Sequence, residues 1–194
     1  MKELNYTVKG VSPILINNPQ MVDPFNHYKI AMKKITDKKK KQEEDLLELR
    51  RLEVESKIYF DEALGIYVPS TWVVASIAAV GWNRSKIKKA DIRASVFPLS
   101  PKLKLHYDGD ELVKAKTDIS KNGKFQTVML LRQGQVKVAK AVPIFHNWSF
   151  NVELEYDQTL IDEETLKGLI TYASQYGGFG DFRPTYGLAS VTFD

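Results

Sequence analysis

Four glycines stand within eleven residues near the end of the chain, in Gly177-Gly178-Phe179-Gly180-Asp181-Phe182-Arg183-Pro184-Thr185-Tyr186-Gly187. Glycine lets a backbone approach a phosphate closely and aim its N–H groups at it, where a Cβ would intervene. On that reading Gly178 and Gly180 admit a phosphate, Arg183 contacts it or stacks on a base, and Phe179, Phe182 and Tyr186 offer flat surfaces to bases. The alternative is a wide helix-to-strand turn whose aromatics fill the core and whose Arg183 pairs with Asp181. A second set of candidates is cationic. Arg84, Lys86, Lys88 and Lys89 crowd the end of an apolar helical run, and Arg132, Lys137 and Lys140 fall on strand-like sequence. Cations so placed suit a groove that tracks a phosphate backbone, and each one alone reads equally well as a solubilising surface residue.

The charge distribution sharpens this reading. The formal net charge is +4, yet residues 82–140 hold 14 Lys/Arg against 5 Asp/Glu, and residues 141–194 hold 2 against 8. A basic segment binds nucleic acid chiefly by neutralising phosphates and releasing counterions, which is independent of base sequence. A solvated basic face without a partner is the competing reading. The lysine run over 33–41 is partly cancelled by Glu43, Glu44 and Asp45 and reads as the solvated top of a helical segment.

Catalytic chemistry has little to work with. The chain has no cysteine, which excludes disulfides, thiolate zinc sites and cysteine nucleophiles. His27, His106 and His146 are too scattered to suggest a metal site, and neither a metal nor a cofactor is expected. His146, in IFHNWSF, is the weak catalytic candidate, more readily a hydrogen-bonded structural histidine than a general base. The pairs His106-Tyr107 and His27-Tyr28 raise a metal-independent endoribonuclease as an alternative, without a supporting spacing.

Near the start of the chain ELNYTVK alternates as a half-buried strand with Leu4, Tyr6 and Val8 on one side. Breakers over residues 17–24 then give way to helical spacing at Tyr28, Met32 and Ile35, and to an amphipathic helix over 42–58 with Leu47, Val54 and Ile58 on its buried stripe. Residues 25–60 are expected to be a helical insertion in one domain spanning 1–194. GIYVP reads as a short strand, and Ser70 or Thr71 caps the apolar helix that follows. Two strands around SVFPL and KLKLHY precede a functional or mobile excursion from Asp108 to Lys124. Strands over 125–156 turn at Gly134, and a helix led by Asp162-Glu163-Glu164 turns Leu166, Ile170 and Ala173 inward. LASVTF is the last strand. The order predicts an α+β fold, a ferredoxin- or RRM-like antiparallel sheet with its helices on one face.

Three stretches in this order resemble the repeat-associated mysterious protein (RAMP) superfamily, in particular the RRM-like backbone subunits of CRISPR effector complexes: SPILIN after the first strand, GIYVPSTWVVASIAAVG, and the glycine-rich loop between the last helix and last strand. The resemblance touches about a third of the chain. It implies binding of single-stranded RNA, largely without sequence preference, by copies that line up along the strand or join effector subunits. This chain departs from the family pattern in two places. The loop reads Gly-Asp-Phe-Arg-Pro-Thr-Tyr-Gly rather than the family's more basic Arg-x-x-Gly-x-Gly. In the subunits that cut their target, a metal-binding aspartate follows the first strand; laid over NNPQMVDP it falls on Asn17, an amide that supplies no carboxylate to a hard cation, so the implied protein is a non-catalytic binder. The chain is also similar to small uncharacterised bacteriophage proteins, which keeps a phage single-stranded DNA-binding or protein-interaction role open. With no run of 18 apolar residues and no charged-then-apolar leader, the expectation is a soluble, cytoplasmic protein of a bacterium or phage-infected cell, without a membrane partner.

Overall fold

A computed structural model describes residues 1–133 and 135–194, with residues 131–133 and 136 described by their backbone. The elements run β1 (Lys2–Gly10), β2 (Ile14–Leu15), α1 (His27–Thr36), α2 (Glu43–Glu55), β3 (Phe60–Asp61), β4 (Gly65–Pro69), α3 (Thr71–Ser85), α4 (Lys89–Ser95), β5 (Val96–Pro98) and β6 (Lys102–Lys104). Then come α5 (Lys116–Lys121), β7 (Gln126–Gln133), β8 (Val136–Phe145), β9 (Ser149–Tyr156), α6 (Glu163–Tyr172) and β10 (Ala189–Phe193). The α+β expectation holds. The chain divides into two compact units: unit 1 is Met1–Leu15, Ile66–Asp108 and Phe145–Asp194, and unit 2 is Ile16–Gly65 and Gly109–Ile144. The helical stretch expected over 25–60 falls inside the first segment of unit 2.

Unit 1 is built on a four-stranded sheet of order β10-β1-β9-β5, antiparallel throughout. Taken with α3 and α6, these strands read fourth, first, third, second, the arrangement that a βαββαβ chain makes from two interleaved split βαβ units. The alternation in β1 sets the layers: Leu4, Tyr6 and Val8 are buried while Glu3, Asn5 and Lys9 are exposed. In β9, Phe150, Val152, Leu154 and Tyr156 are buried on the same principle. Helix α3 buries Val73, Ile77 and Ala78, and α6 buries Leu166, Leu169 and Ile170, followed by Ala173. The two helices pack on each other. Each large side chain so removed from water contributes about 1.5–3 kcal/mol, which makes this layer the main stabiliser of unit 1. At the start of α6 the Asp162 carboxylate accepts from the Thr165 N–H at 2.9 Å, and that backbone bond holds it below the usual carboxylate range.

Unit 2 holds α1 and α2, which meet through Tyr28, Ile35 and Leu52. Asn26 caps α1 by accepting from the Tyr28 N–H at 2.9 Å. Leu47 departs from expectation: it is 61% exposed, because the buried residues of α2 begin only at Leu52, in the half that packs on α1 and α5. The excursion over 108–124 is also more ordered than its composition predicts. It contains α5, which buries Ile119 and Ser120 and docks on α2. The Ser120 hydroxyl donates to the Glu55 carboxylate at 2.7 Å, and Arg51 holds the same carboxylate at 2.8 Å. Strands β7 and β8 form an antiparallel hairpin, in register from Gln126↔Pro143 to Leu130↔Ala139. The turn expected at Gly134 lies outside the described residues.

Candidate nucleic-acid interface

The end of α3 gathers cations and aromatic rings. The helix runs its apolar stripe to Gly81, and Lys86 then stops it in the left-handed conformation, φ 59° and ψ 16°, with its N–H returning to the Trp82 carbonyl at 3.1 Å. Glycine or asparagine usually fills such a position, and a side chain there costs about 1–2 kcal/mol. The turn it makes brings the Lys86 Nζ to 5.7 Å from the centre of the Trp82 ring, itself 52% exposed. Across the helix Arg84 stacks over Tyr172 of α6, 4.3 Å from the ring centre, and the Tyr172 ring lies 4.7 Å from that of Tyr176, which is 62% exposed. Lys88 and Lys89 open α4 and are exposed. Among the described residues none of Arg84, Lys86, Lys88 and Lys89 enters an ion pair. The carbonyl end of α3 favours this positive charge, and Asp91 is the only acid between residues 82 and 95.

The other expected cations are placed differently. Lys140 is engaged: its Nζ lies 2.6 Å from the Glu53 carboxylate, which also accepts from the Ala141 N–H at 3.1 Å. Breaking that pair would strand a carboxylate only 8% exposed, so Lys140 serves unit 2 before any phosphate. Lys116 sits 5.3 Å from the Tyr28 ring centre, where burial lowers its pKa and the Glu55 carboxylate pulls it back up. Lys137 is exposed on β8, and the side chain of Arg132 lies outside those described.

In the glycine loop the close approach is to the chain's own backbone. Gly178, Gly180 and Gly187 have φ of 73°, 77° and 76°. A Cβ on Gly180 would meet the Leu15 carbonyl, and one on Gly187 would meet the Phe179 carbonyl. Three of the loop's N–H groups are taken up in the same contacts: Phe179 donates to Gly187, Asp181 to Leu15 and Gly187 to Pro13, each at 2.9 Å. Phe179 is not a surface for bases. It is 2% exposed and packs edge-on against Trp148 and Phe150. Arg183 is exposed, makes no ion pair with Asp181, and donates from Nη1 to the Gly178 carbonyl at 3.4 Å.

No protein-family model matches this chain, and no curated protein matches its sequence.

The open face of the unit 1 sheet, where an RRM-like fold would carry aromatic base platforms, is polar and acidic. Glu3 stands opposite Glu155, Asn5 opposite Glu153, and Thr7 opposite Asn151, with Lys9 at the far end and Phe97 the one large apolar side chain among them. His146 is exposed in the turn between β8 and β9, and its imidazole makes no hydrogen bond among the described residues, so nothing orients it as a general base. Among the described residues no three His, Asp or Glu side chains come together to hold a metal, and no helix is long and apolar enough to cross a membrane. Sequence reasoning missed Trp82, Tyr172 and Tyr176. The i, i+4 spacing of the two tyrosines was the available signal.

Proposed function

We propose that the chain binds single-stranded nucleic acid, largely without sequence preference, through the cation–aromatic cluster at the end of α3. The observation that carries this reading is the pairing of Arg84 with Tyr172 and of Lys86 with the exposed Trp82, beside Lys88 and Lys89, which enter no ion pair among the described residues. Lysines alone would suit any polyanion. Exposed rings beside them favour bases free of a duplex, because every base has a face to stack and only an unpaired strand can turn it outward. The resemblance to the RAMP superfamily, with which the strand order of unit 1 is compatible, adds RNA as the expected strand and neighbouring copies as expected partners. The acidic sheet face supports placing the strand on the helix side.

The test is a fluorescence-anisotropy titration of labelled single-stranded RNA, single-stranded DNA and duplex over a salt series. The expected outcome is preference for single strands and a log–log salt slope near −2 to −3, about 0.7 per phosphate contact for four cations. Absence of affinity at low salt, or preference for duplex, would overturn the reading. Cleavage of the RNA that disappears in His146→Ala would replace it with the endoribonuclease.

A further inference from the structure

The opposite end of α3 has an uncommon cap. Ser70 occupies the N-cap position, its N–H donates to the Pro101 carbonyl at 3.1 Å, and its carbonyl accepts from the Val73 N–H at 3.0 Å. The residue is 7% exposed, yet its hydroxyl makes no capping bond and no other hydrogen bond among the described residues. A buried serine at a helix start ordinarily turns that oxygen onto an N–H of the first turn. Here Ser70 instead lines a cleft of about 400 Å³, together with Thr71, Val74 and Ala75 of α3, Arg93 of α4 and Pro98. Among the described residues the Thr71 N–H, an orphan of the first turn, has no hydrogen-bond partner, and Arg93 is exposed and forms no ion pair.

We infer that this cleft is an oxyanion subsite that takes a phosphate group, with the Ser70 and Thr71 hydroxyls and the Thr71 N–H as donors and the Arg93 guanidinium as counter-charge. Three features select phosphate. The helix start carries about half a positive charge and arginine a full one, which matches a phosphate better than a neutral acceptor. The donors outnumber the two oxygens of a carboxylate and suit the additional oxygens of phosphate, for which arginine offers a fork. The remaining walls, Val74, Ala75 and Pro98, are apolar and suit the carbon skeleton of an ester.

The subsite deepens the proposed nucleic-acid reading and rests on it for the identity of the ester. The 15 residues of α3 span about 22 Å, several nucleotides of an extended strand. Lys89 and Arg93 are four apart on α4 and share one of its faces, so cations continue from the Trp82–Lys86 end toward Ser70. A strand held at the first end has its next phosphates over α4 and one in the cleft.

Two measurements on the full chain test this. In 1H–15N spectra at constant ionic strength, inorganic phosphate is expected to shift the Thr71 amide in the native protein and not in Ser70→Ala/Arg93→Gln. In anisotropy titrations the same double variant is expected to bind single-stranded oligonucleotide roughly tenfold more weakly, as loss of a charge-assisted contact implies, with a salt slope shallower by about 0.7. Because the Ser70 hydroxyl caps nothing, the melting temperature of Ser70→Ala should match that of the native chain, and Arg93→Lys should restore part of the phosphate response. If oligonucleotide binds the double variant as it binds the native protein and Thr71 stays still under phosphate, the subsite is overturned while strand binding stands. If phosphate moves Thr71 but no oligonucleotide binds at all, the subsite stands as a site for small phosphoesters and the strand reading falls.

Discussion

The glycine loop and the end of α3 are the two places in unit 1 that the sequence marks for a phosphate, and they answer the marking in opposite ways. In the loop, the backbone N–H groups of Phe179, Asp181 and Gly187 are already bonded, and the space over Gly180 and Gly187 is filled by carbonyls of the same chain. At the end of α3, the cations have no carboxylate partner among the described residues and two rings stand exposed beside them. Glycine reports that something approaches closely without saying what. A cation is informative only once its neighbours are known, as Lys140 on Glu53 illustrates.

The largest effect that would break this contrast is on stability. Gly187→Ala forces a Cβ onto the Phe179 carbonyl at φ 76° and is expected to destabilise unit 1 by about 3 kcal/mol, the sum of left-handed strain and overpacking. Urea denaturation measures it, and a loss below about 1 kcal/mol would reopen the loop as a yielding, ligand-facing segment. Next, Lys86→Gln/Lys88→Gln/Lys89→Gln should weaken single-strand binding about 100-fold at low salt, at about 1 kcal/mol each. It should also flatten the salt slope by about 2, with the melting temperature unchanged; equal binding by the triple variant would move the interface elsewhere. Trp82→Ala should then cost about tenfold in affinity, the lower part of the range for one stacked base.

Lys86→Gly separates the two roles of one residue. Removing the side chain from the left-handed position should raise stability by about 1 kcal/mol while binding weakens, and weaker binding without the stability gain would count against the strain. The smallest effect belongs to the sheet. Glu3→Gln/Glu153→Gln should change affinity less than about threefold, since exposed charges beyond a Debye length are screened. A larger gain would show that the strand crosses the sheet.

What could be read from the sequence is what depends on near neighbours. Leu4, Tyr6 and Val8 alternate, and Leu166, Ile170 and Ala173 repeat at helical spacing, so β1 and α6 are legible with their buried faces. The cations Arg84 to Lys89 were legible as a group for the same reason. The function of Gly180 was not, because the atom that requires it, the Leu15 carbonyl, is 165 residues away in sequence. Arg84 likewise meets Tyr172 only because α3 packs on α6, and the idle hydroxyl of Ser70 is invisible in a sequence where serine before a helix reads as an ordinary cap. Leu47 shows the opposite limit: the spacing to Val54 is correct, but Leu47 stands exposed in the half of α2 that precedes its buried residues.

The sheet order has a consequence for how the molecule is made. Strand β1 is central, yet Lys2 pairs with Tyr156 and Tyr6 with Phe193, so it is synthesised early and completed last. At roughly 5–20 residues per second the ribosome needs about 10–40 s to deliver β10 after β1. Until β9 is delivered, Leu4, Tyr6 and Val8 have no sheet to join, and the edge of β1 that takes β10 stays open longer still, while α1 and α2 meet within a few dozen residues. Helical structure in unit 2 is thus available before the sheet of unit 1, and the waiting β1 is the segment for which a chaperone would matter most.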